Sequence, residues 1–288
     1  MDPSGATLNF NLWAANLKPS AMIALFDVGN THTHLGLANS SRVLRQINLR
    51  TPDWSNGRAQ LQAAKFFRGR SLDGAAFCSV VPAVTPLVSR FVQEKIRVPH
   101  LALTSRTVRG IGIDYPKPET IGADRLANAV AARHHFGAPV VVVDFGTAVT
   151  FDVVDRRGNY IGGIIAPGLN VMTDYLHEKT ALLPRITIRE VTALVGKSTA
   201  QAMLIGAVHG YRGLIGELVS QLKRALGCRR LPVIATGGYA RLIAAKLPQI
   251  TAVEPLLPLE GLRLAWQAHQ AGRQEKGGEK PCHLSIVD

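Results

Sequence analysis

LFDVGNTHTHLGLA at residues 25–38 returns in altered form as VVDFGTAVTFDVV at residues 142–154. Each copy reads as an apolar strand ending in Asp, one intervening residue, Gly, a Thr-bearing turn and a second strand. Asp27 and Asp144 stand 117 residues apart, a domain-sized interval. Such a repeat predicts two α/β halves, each opening with a β-hairpin, that face each other over a cleft. The length agrees, since 288 residues suit one large or two medium domains.

The rest of the chain fills in that plan. Strands are expected at 22–27, 33–38 and about 75–81, with a helix over 83–95 that carries Val84, Leu87, Val88, Phe91 and Val92 on one face. GIGIDYPKPET reads as a loop leading into an Ala-rich helix that begins between Gly122 and Asp124. The second half repeats strand, tight turn and strand, turns at DRRGN, and adds a third strand. Residues 198–226 predict one long amphipathic helix, capped by Ser198 or Thr199. Gly206, Gly210 and Gly213 lie near one face of it, and each costs about 1 kcal/mol against Ala. Close packing against another backbone is the expected reason. LPVIATGGYARLIAAKL is strand, glycine turn, helix. The expected division is an extension at 1–21, halves at 22–137 and 138–268, and a polar tail at 269–288.

Composition narrows the function. Apolar content of 47% supports a buried core, and only 18% of residues are charged. The net charge of +13 suits an anionic ligand, but Lys and Arg are scattered, which reads as a basic surface. Aromatics at 6% with no basic interleaving argue against a single-strand stacking platform. Cys78, Cys228 and Cys282 show no CxxC spacing, so a reducing cytoplasm is the expected home. No apolar run is long enough to span a bilayer, and residues 1–21 lack the pattern of a signal peptide.

The hairpin tips carry the first chemical signal. Gly29 and Gly146 allow the backbone to approach a phosphate closely and leave N–H groups free to face it. Thr31 and Thr147 add hydroxyls, and Asp27 and Asp144 can hold a hard cation directly or through water. Turn chemistry alone would explain one such tip. Two copies at domain spacing, followed by ATGGYARLI, favour a phosphate-gripping pair. GKST at 196–199 fails as a Walker A loop because Val191 stands where its first Gly belongs. GIGIDY fails as a dinucleotide fingerprint because Tyr115 takes the place of the third Gly. GADR at 122–125 puts Asp124 in a first helical turn beside Arg125, whose fork suits a carboxylate or phosphate. The helix terminus is expected to lower the pKa of Asp124. An ionised Asp124 then suits an acceptor for a hydroxyl proton in phosphoryl transfer. His32 and His34, and His134 and His135, lack a third ligand in register and carry no metal signal.

In order, DVGNTHT, YPKPETIGADRLANAVAA, VVDFGTAVTFDVV, GGIIAPGL, LPRI, GKSTAQAMLIGAVHG and ATGG resemble the type III pantothenate kinases. These belong to the superfamily of acetate and sugar kinases, heat-shock chaperones and actin. The resemblance spans about residues 22 to 265. It implies duplicated ribonuclease-H-like (actin-like ATPase) domains facing across a nucleotide cleft, working as a homodimer. It further implies that ATP, with Mg²⁺ and a monovalent cation (K⁺ or NH₄⁺), phosphorylates the terminal hydroxyl of pantothenate. By the same resemblance the ATP loop comprises Asp27, Val28, Gly29, Asn30, Thr31, His32, Thr33 and His34, with Thr147 from the second tip. Asp144 matches the monovalent-cation ligand. Tyr115, Gly122, Ala123, Asp124 and Arg125 match the pantothenate site, with Asp124 as proton acceptor. Thr199 matches a further substrate contact near the dimer interface, for which the glycine-bearing face of the 198–226 helix would be suited. The terminal segments and the +13 charge fall outside the family pattern. A sugar-type kinase of the same superfamily and a regulatory relative that binds nucleic acid are the alternatives. Nucleic acid and membrane are not expected partners.

Overall fold

A computed structural model describes residues 22–277. Its first sheet comprises β1 (Ile23–Val28), β2 (His32–Ala38), β3 (Val43–Arg50), β4 (Gly74–Ser79) and β5 (His100–Ala102), in the order β3-β2-β1-β4-β5. The second comprises β6 (Gly112–Ile113), β7 (Val140–Phe145), β8 (Ala148–Val154), β9 (Asn159–Pro167), β10 (Val233–Thr236) and β11 (Ala252–Val253), in the order β11-β10-β7-β8-β9-β6. Within each, an antiparallel meander of three strands is extended by two parallel ones. The order β9-β8-β7-β10-β11 repeats β3-β2-β1-β4-β5, so the echo in sequence is an echo in topology. β6 joins the far edge of the second sheet by pairing with β9.

The helices α1 (Arg58–Phe67) and α2 (Thr85–Phe91) cover the outer face of the first sheet, where Phe26, Trp54, Phe67 and Phe91 form its core. Between the sheets lie α3 (Ala123–Phe136) and, from the far end of the chain, α8 (Leu257–Gly277). The alanines of α3 are buried on nearly every side, as a helix enclosed by two layers requires. Gly261 admits α8 to α3, since a Cβ there would sit 1.9 Å from the Ala127 carbonyl oxygen. Although it follows the second sheet in sequence, α8 also packs on β1 to β4 of the first. It runs on to Gly277, so the beginning of the expected polar tail is helical. The expected extension at 1–21 and the remainder of the tail lie outside the described residues.

The second sheet is covered by α4 (Leu169–Lys179), α6 (Tyr211–Ala225) and α7 (Ala240–Ala244), with α5 (Thr199–Ile205) leading into α6. The expected 198–226 helix is continuous but holds a wide π turn at Gly206–Gly210. Ser198 is its cap, accepting the Gln201 N–H at 3.2 Å. The expected reason for its glycines does not hold within the chain, because a Cβ at Gly206, Gly210 or Gly213 would meet nothing within 4 Å. Two of them instead bound the wide turn. The helix after β4 likewise passes into a π turn at Val92–Ile96, which Arg97 ends in the left-handed region at φ 58°. Among the described residues no helix is long and apolar enough to cross a membrane.

Candidate active site

The first tip is set by residues on both sides of it. The Gly29 N–H is not left free, as the sequence led us to expect, but donates to the His32 carbonyl at 3.0 Å, closing the turn between β1 and β2. Thr51 then pins it: its hydroxyl donates to the Gly29 carbonyl at 2.6 Å and its N–H to that of Thr31 at 3.0 Å. Thr33 is buried, its hydroxyl within 3.0 Å of Thr51 Oγ1 and 3.1 Å of Trp54 Nε1, so it braces the tip from inside. Val28 is buried beside it, while Asn30, Thr31 and His32 are exposed. His34 is tied to Asn48 at 2.8 Å. Asp27 is buried and accepts a hydrogen bond from the Cys78 thiol at 3.3 Å across the β1–β4 pair.

The second tip meets the first. Thr31 Oγ1 and Thr147 Oγ1 lie 2.9 Å apart, hydrogen-bonded across the two halves. Gly168 donates to the Thr147 carbonyl at 3.1 Å, and a Cβ on it would lie 2.1 Å from that oxygen. Asp144 Oδ2 accepts from Asn128 Nδ2 at 3.0 Å. Gly237, at φ +89°, leaves room for the other Asp144 oxygen, which a Cβ would approach to 2.6 Å.

The start of α3 runs past both tips. Gly122 is its N-cap, and Asp124 Oδ1 accepts the Arg125 N–H at 2.8 Å. A side chain at 122 would lie 2.6 Å from that oxygen, which accounts for the Gly. Ala123 is buried. One helical turn on, Asn128 reaches Asp144, so a single helix face carries Asp124 and touches the second tip.

The electrostatics correct one expectation. Burial raises the Asp124 pKa, and the opposing pull of the Arg125 N–H and guanidinium does not overcome it. The helix terminus is outweighed by desolvation. Burial likewise lifts Asp27 to about 6 and Asp144 to about 6, and both feel the charge of Asp124. Three carboxyls from three elements thus share one field that favours a cation. Around Asp144, the buried oxygens Asn128 Oδ1 and Thr236 Oγ1 have no hydrogen-bond partner, and Thr236 stands beside Asp144 in the β7–β10 register. Hard oxygen donors of this kind suit a monovalent or alkaline-earth cation. Among the described residues no group of three or more His, Cys, Asp or Glu forms a metal cluster.

On the other side of Asp124, Arg125 is held by groups that the sequence reading did not single out. Its Nε donates to Asp152 Oδ1 at 2.5 Å and its Nη2 to the Phe151 carbonyl at 3.0 Å. Its guanidinium lies 5.7 Å from the Tyr160 ring centre, and Tyr115 meets that ring edge-on at 6.2 Å. Burial works against the Arg125 charge, yet Asp152 holds its pKa above the ordinary value. Part of the Arg125 fork therefore serves the protein itself. The available signal was a charged residue inside the apolar strand segment TFDVV: Asp152 is fully buried. Thr199 stands apart, exposed in the first turn of α5, and no side-chain hydrogen bond joins it to the other candidate residues.

Comparison with known proteins follows the same lines. Residues 23–221 match the family described as type III pantothenate kinase. A type III pantothenate kinase of Akkermansia muciniphila is 45% identical over 84% of this chain and 96% of its own length. One of Methylacidiphilum infernorum is 41% identical over 83% of this chain and 86% of its own. Among solved structures, the ethanolamine utilization protein EutJ of Carboxydothermus hydrogenoformans superposes with a TM-score of 0.51 at 15% identity, covering 88% of this chain and 92% of that one. At that identity the likeness speaks for the fold alone. With the repeated sheet order, it gives the chain a duplicated ribonuclease-H-like, actin-like fold.

Proposed function

The chain belongs to the type III pantothenate kinase family, and we propose that its two tips and the start of α3 carry out that family's reaction. The reaction moves the terminal phosphoryl group of ATP to the terminal hydroxyl of pantothenate, giving 4'-phosphopantothenate, the first step towards coenzyme A. The observation that carries the site assignment is the meeting of Thr31 and Thr147 beside the carboxyl field of Asp27, Asp124 and Asp144. Family membership favours this reading over a sugar kinase or a nucleic-acid-binding relative.

In this reading the first tip, residues 27–34, holds the ATP phosphates with Thr147: exposed Asn30, Thr31 and His32 meet them, while the Gly29 N–H and the buried Thr33 hydroxyl keep the tip in shape. When bound, a divalent cation brought with ATP would supply neutralisation of charge on the transferring phosphoryl. Asp27, beneath the first tip, would hold that cation directly or through water. Asp144 would hold the monovalent cation, K⁺ or NH₄⁺, with the unpartnered oxygens of Asn128 and Thr236 beside it. Tyr115, Gly122, Ala123 and Arg125 line the pantothenate side, and Asp152 and Tyr160 fix the direction of Arg125. The pantothenate oxygen bonds to the terminal phosphorus as the bond from that phosphorus to the departing ADP oxygen breaks. Asp124 accepts the hydroxyl proton. The loose transition state asks for little base strength, so a carboxylate suffices.

The division into 22–137 and 138–268 is retained as a proposal, with α3 and α8 filling the joint between the sheets. A homodimer is also proposed. Ile165, Tyr175, Leu182 and Leu194 are exposed apolar side chains on β9, α4 and the segment after it, Leu182 at 89%. α4 packs beside the Gly206–Gly210 turn, and in this reading the partner covers both that face and the glycine face of the helix, approaching Thr199. A cytoplasmic setting fits the unlinked cysteines Cys78 and Cys228.

The test is mass-spectrometric detection of phosphorylated product from ATP and a panel holding pantothenate and common sugars, with Mg²⁺ and with K⁺ or Na⁺. Pantothenate alone should be phosphorylated, and faster with K⁺. Phosphorylation of a sugar in its place would overturn the assignment.

A further inference from the structure

A cavity of about 220 Å³ opens on the outer face of the first sheet, at the N-terminal ends of β4 and β5. The tips stand at the opposite ends, since β1 and β4 run parallel and pair from Ile23–Gly74 to Val28–Ser79. At ~3.3 Å per residue, the cavity lies about 17 Å along the strands from the catalytic machinery. Its floor is apolar: Phe67 and Phe91 are buried, and Leu72 and Ile96 are half-buried. Its rim is cationic, carrying Arg68, Arg70 and Lys95, all exposed.

Basic residues after a helix commonly serve its last carbonyls. Here backbone groups do much of that work. Arg68 N–H donates to the Lys65 carbonyl, Arg70 N–H to that of Phe67, and Arg97 N–H to that of Val92. The Arg97 side chain takes the Glu94 carbonyl at 2.8 Å. The nearby acids are engaged as well: Glu94 pairs with Arg90 at 4.0 Å, and Asp73 accepts the Met22 N–H at 2.8 Å. Among the described residues, none of the three rim side chains has an ion pair or side-chain hydrogen bond.

We propose that this cavity binds a small amphipathic anion, a single acyl or aryl body bearing a carboxylate or phosphate. The apolar body would lie on the two phenylalanine rings, and the head would sit among Arg68, Arg70 and Lys95. Guanidinium groups fork onto either head group. The volume is below the usual range of about 300–1,000 Å³ for drug-sized ligands, which limits the body to a short chain or a single ring. This site is independent of the kinase assignment, and its test does not depend on turnover.

The experiment is calorimetric titration of the full chain at low salt with octanoate and with octyl phosphate, and with octanol as the neutral control. The R68Q/R70Q/K95Q triple variant removes the rim charge, and Ala64→Trp, at an exposed position of α1, fills the mouth. Unchanged melting temperatures establish that both variants fold. The expected result is saturable one-site binding of both anions, at least tenfold weaker in the triple variant, in Ala64→Trp and for octanol, and lost on raising salt. Equal binding by wild type and the triple variant, equal binding of octanol, or no saturable binding to wild type would each overturn the proposal. If Ala64→Trp does not fold, the triple variant decides alone.

Discussion

The hydroxyls of Thr31 and Thr147 meet at 2.9 Å although 116 residues separate them. This contact joins the tips of two hairpins from two sheets of the same strand order. Both groups are exposed, so the bond itself contributes little stability, on the order of 1 kcal/mol or less. Thr31→Val and Thr147→Val should leave chemical denaturation almost unchanged while raising the KM for ATP several-fold. Steady-state kinetics at saturating pantothenate would check this, and an unchanged ATP KM in both variants would remove the tips from the phosphate site.

The second tip can be displaced without touching a polar side chain. A methyl at Gly168 would collide with the Thr147 and Gly146 carbonyl oxygens, at 2.1 and 2.6 Å. Gly168→Ala should weaken ATP binding about tenfold or more, equivalent to ~1.4 kcal/mol. Nucleotide titration followed by intrinsic fluorescence or calorimetry would measure it. Wild-type affinity would show that Thr147 does not contact the nucleotide.

Arg125 and Asp152 form a buried ion pair, with Asp152 fully enclosed. Removing one member strands the other charge, so Asp152→Ala should cost ~3–5 kcal/mol in denaturant unfolding. The functional sign should be a raised KM for pantothenate with a smaller change for ATP. Equal effects on both substrates would show that the pair supports the fold but not the substrate side.

The raised carboxyls give a pH signature. Asp144 titrates near 6 when folded, against ~4 for an ordinary Asp. Between those values the folded chain holds more protons than the unfolded one, so this group's contribution to stability falls as pH rises. Relative to Asp144→Asn, ligand-free wild type should therefore lose stability from about pH 4 to 7, and K⁺ should restore part of it. Thermal melts of both proteins across that range would show it. A difference independent of pH would mean that Asp144 keeps an ordinary pKa.

Much of the fold was legible because its signals are local. The period-two strands, the Asp and Gly of each turn and the Ala-rich helix all lie within short windows. Their repetition at domain spacing implied the duplicated sheets. What stayed hidden depends on contacts between distant segments. Thr51 and Trp54 brace the first tip from beyond β3, and Asp152 meets Arg125 across 27 residues. The helix terminus beside Asp124 is local and visible in the sequence, whereas the burial that raises its pKa comes from packing between the sheets. The glycines of the 198–226 helix pointed to a close contact, but within the chain they border a wide turn with open space beside it.

The most direct test of the account is Asp124→Asn, assayed for pantothenate phosphorylation in parallel with ATP binding. If Asp124 accepts the hydroxyl proton, kcat should fall by ~10²–10⁴-fold while the ATP dissociation constant stays within a few-fold of wild type. Near-normal kcat with intact ATP binding would contradict the account and require another acceptor for the proton.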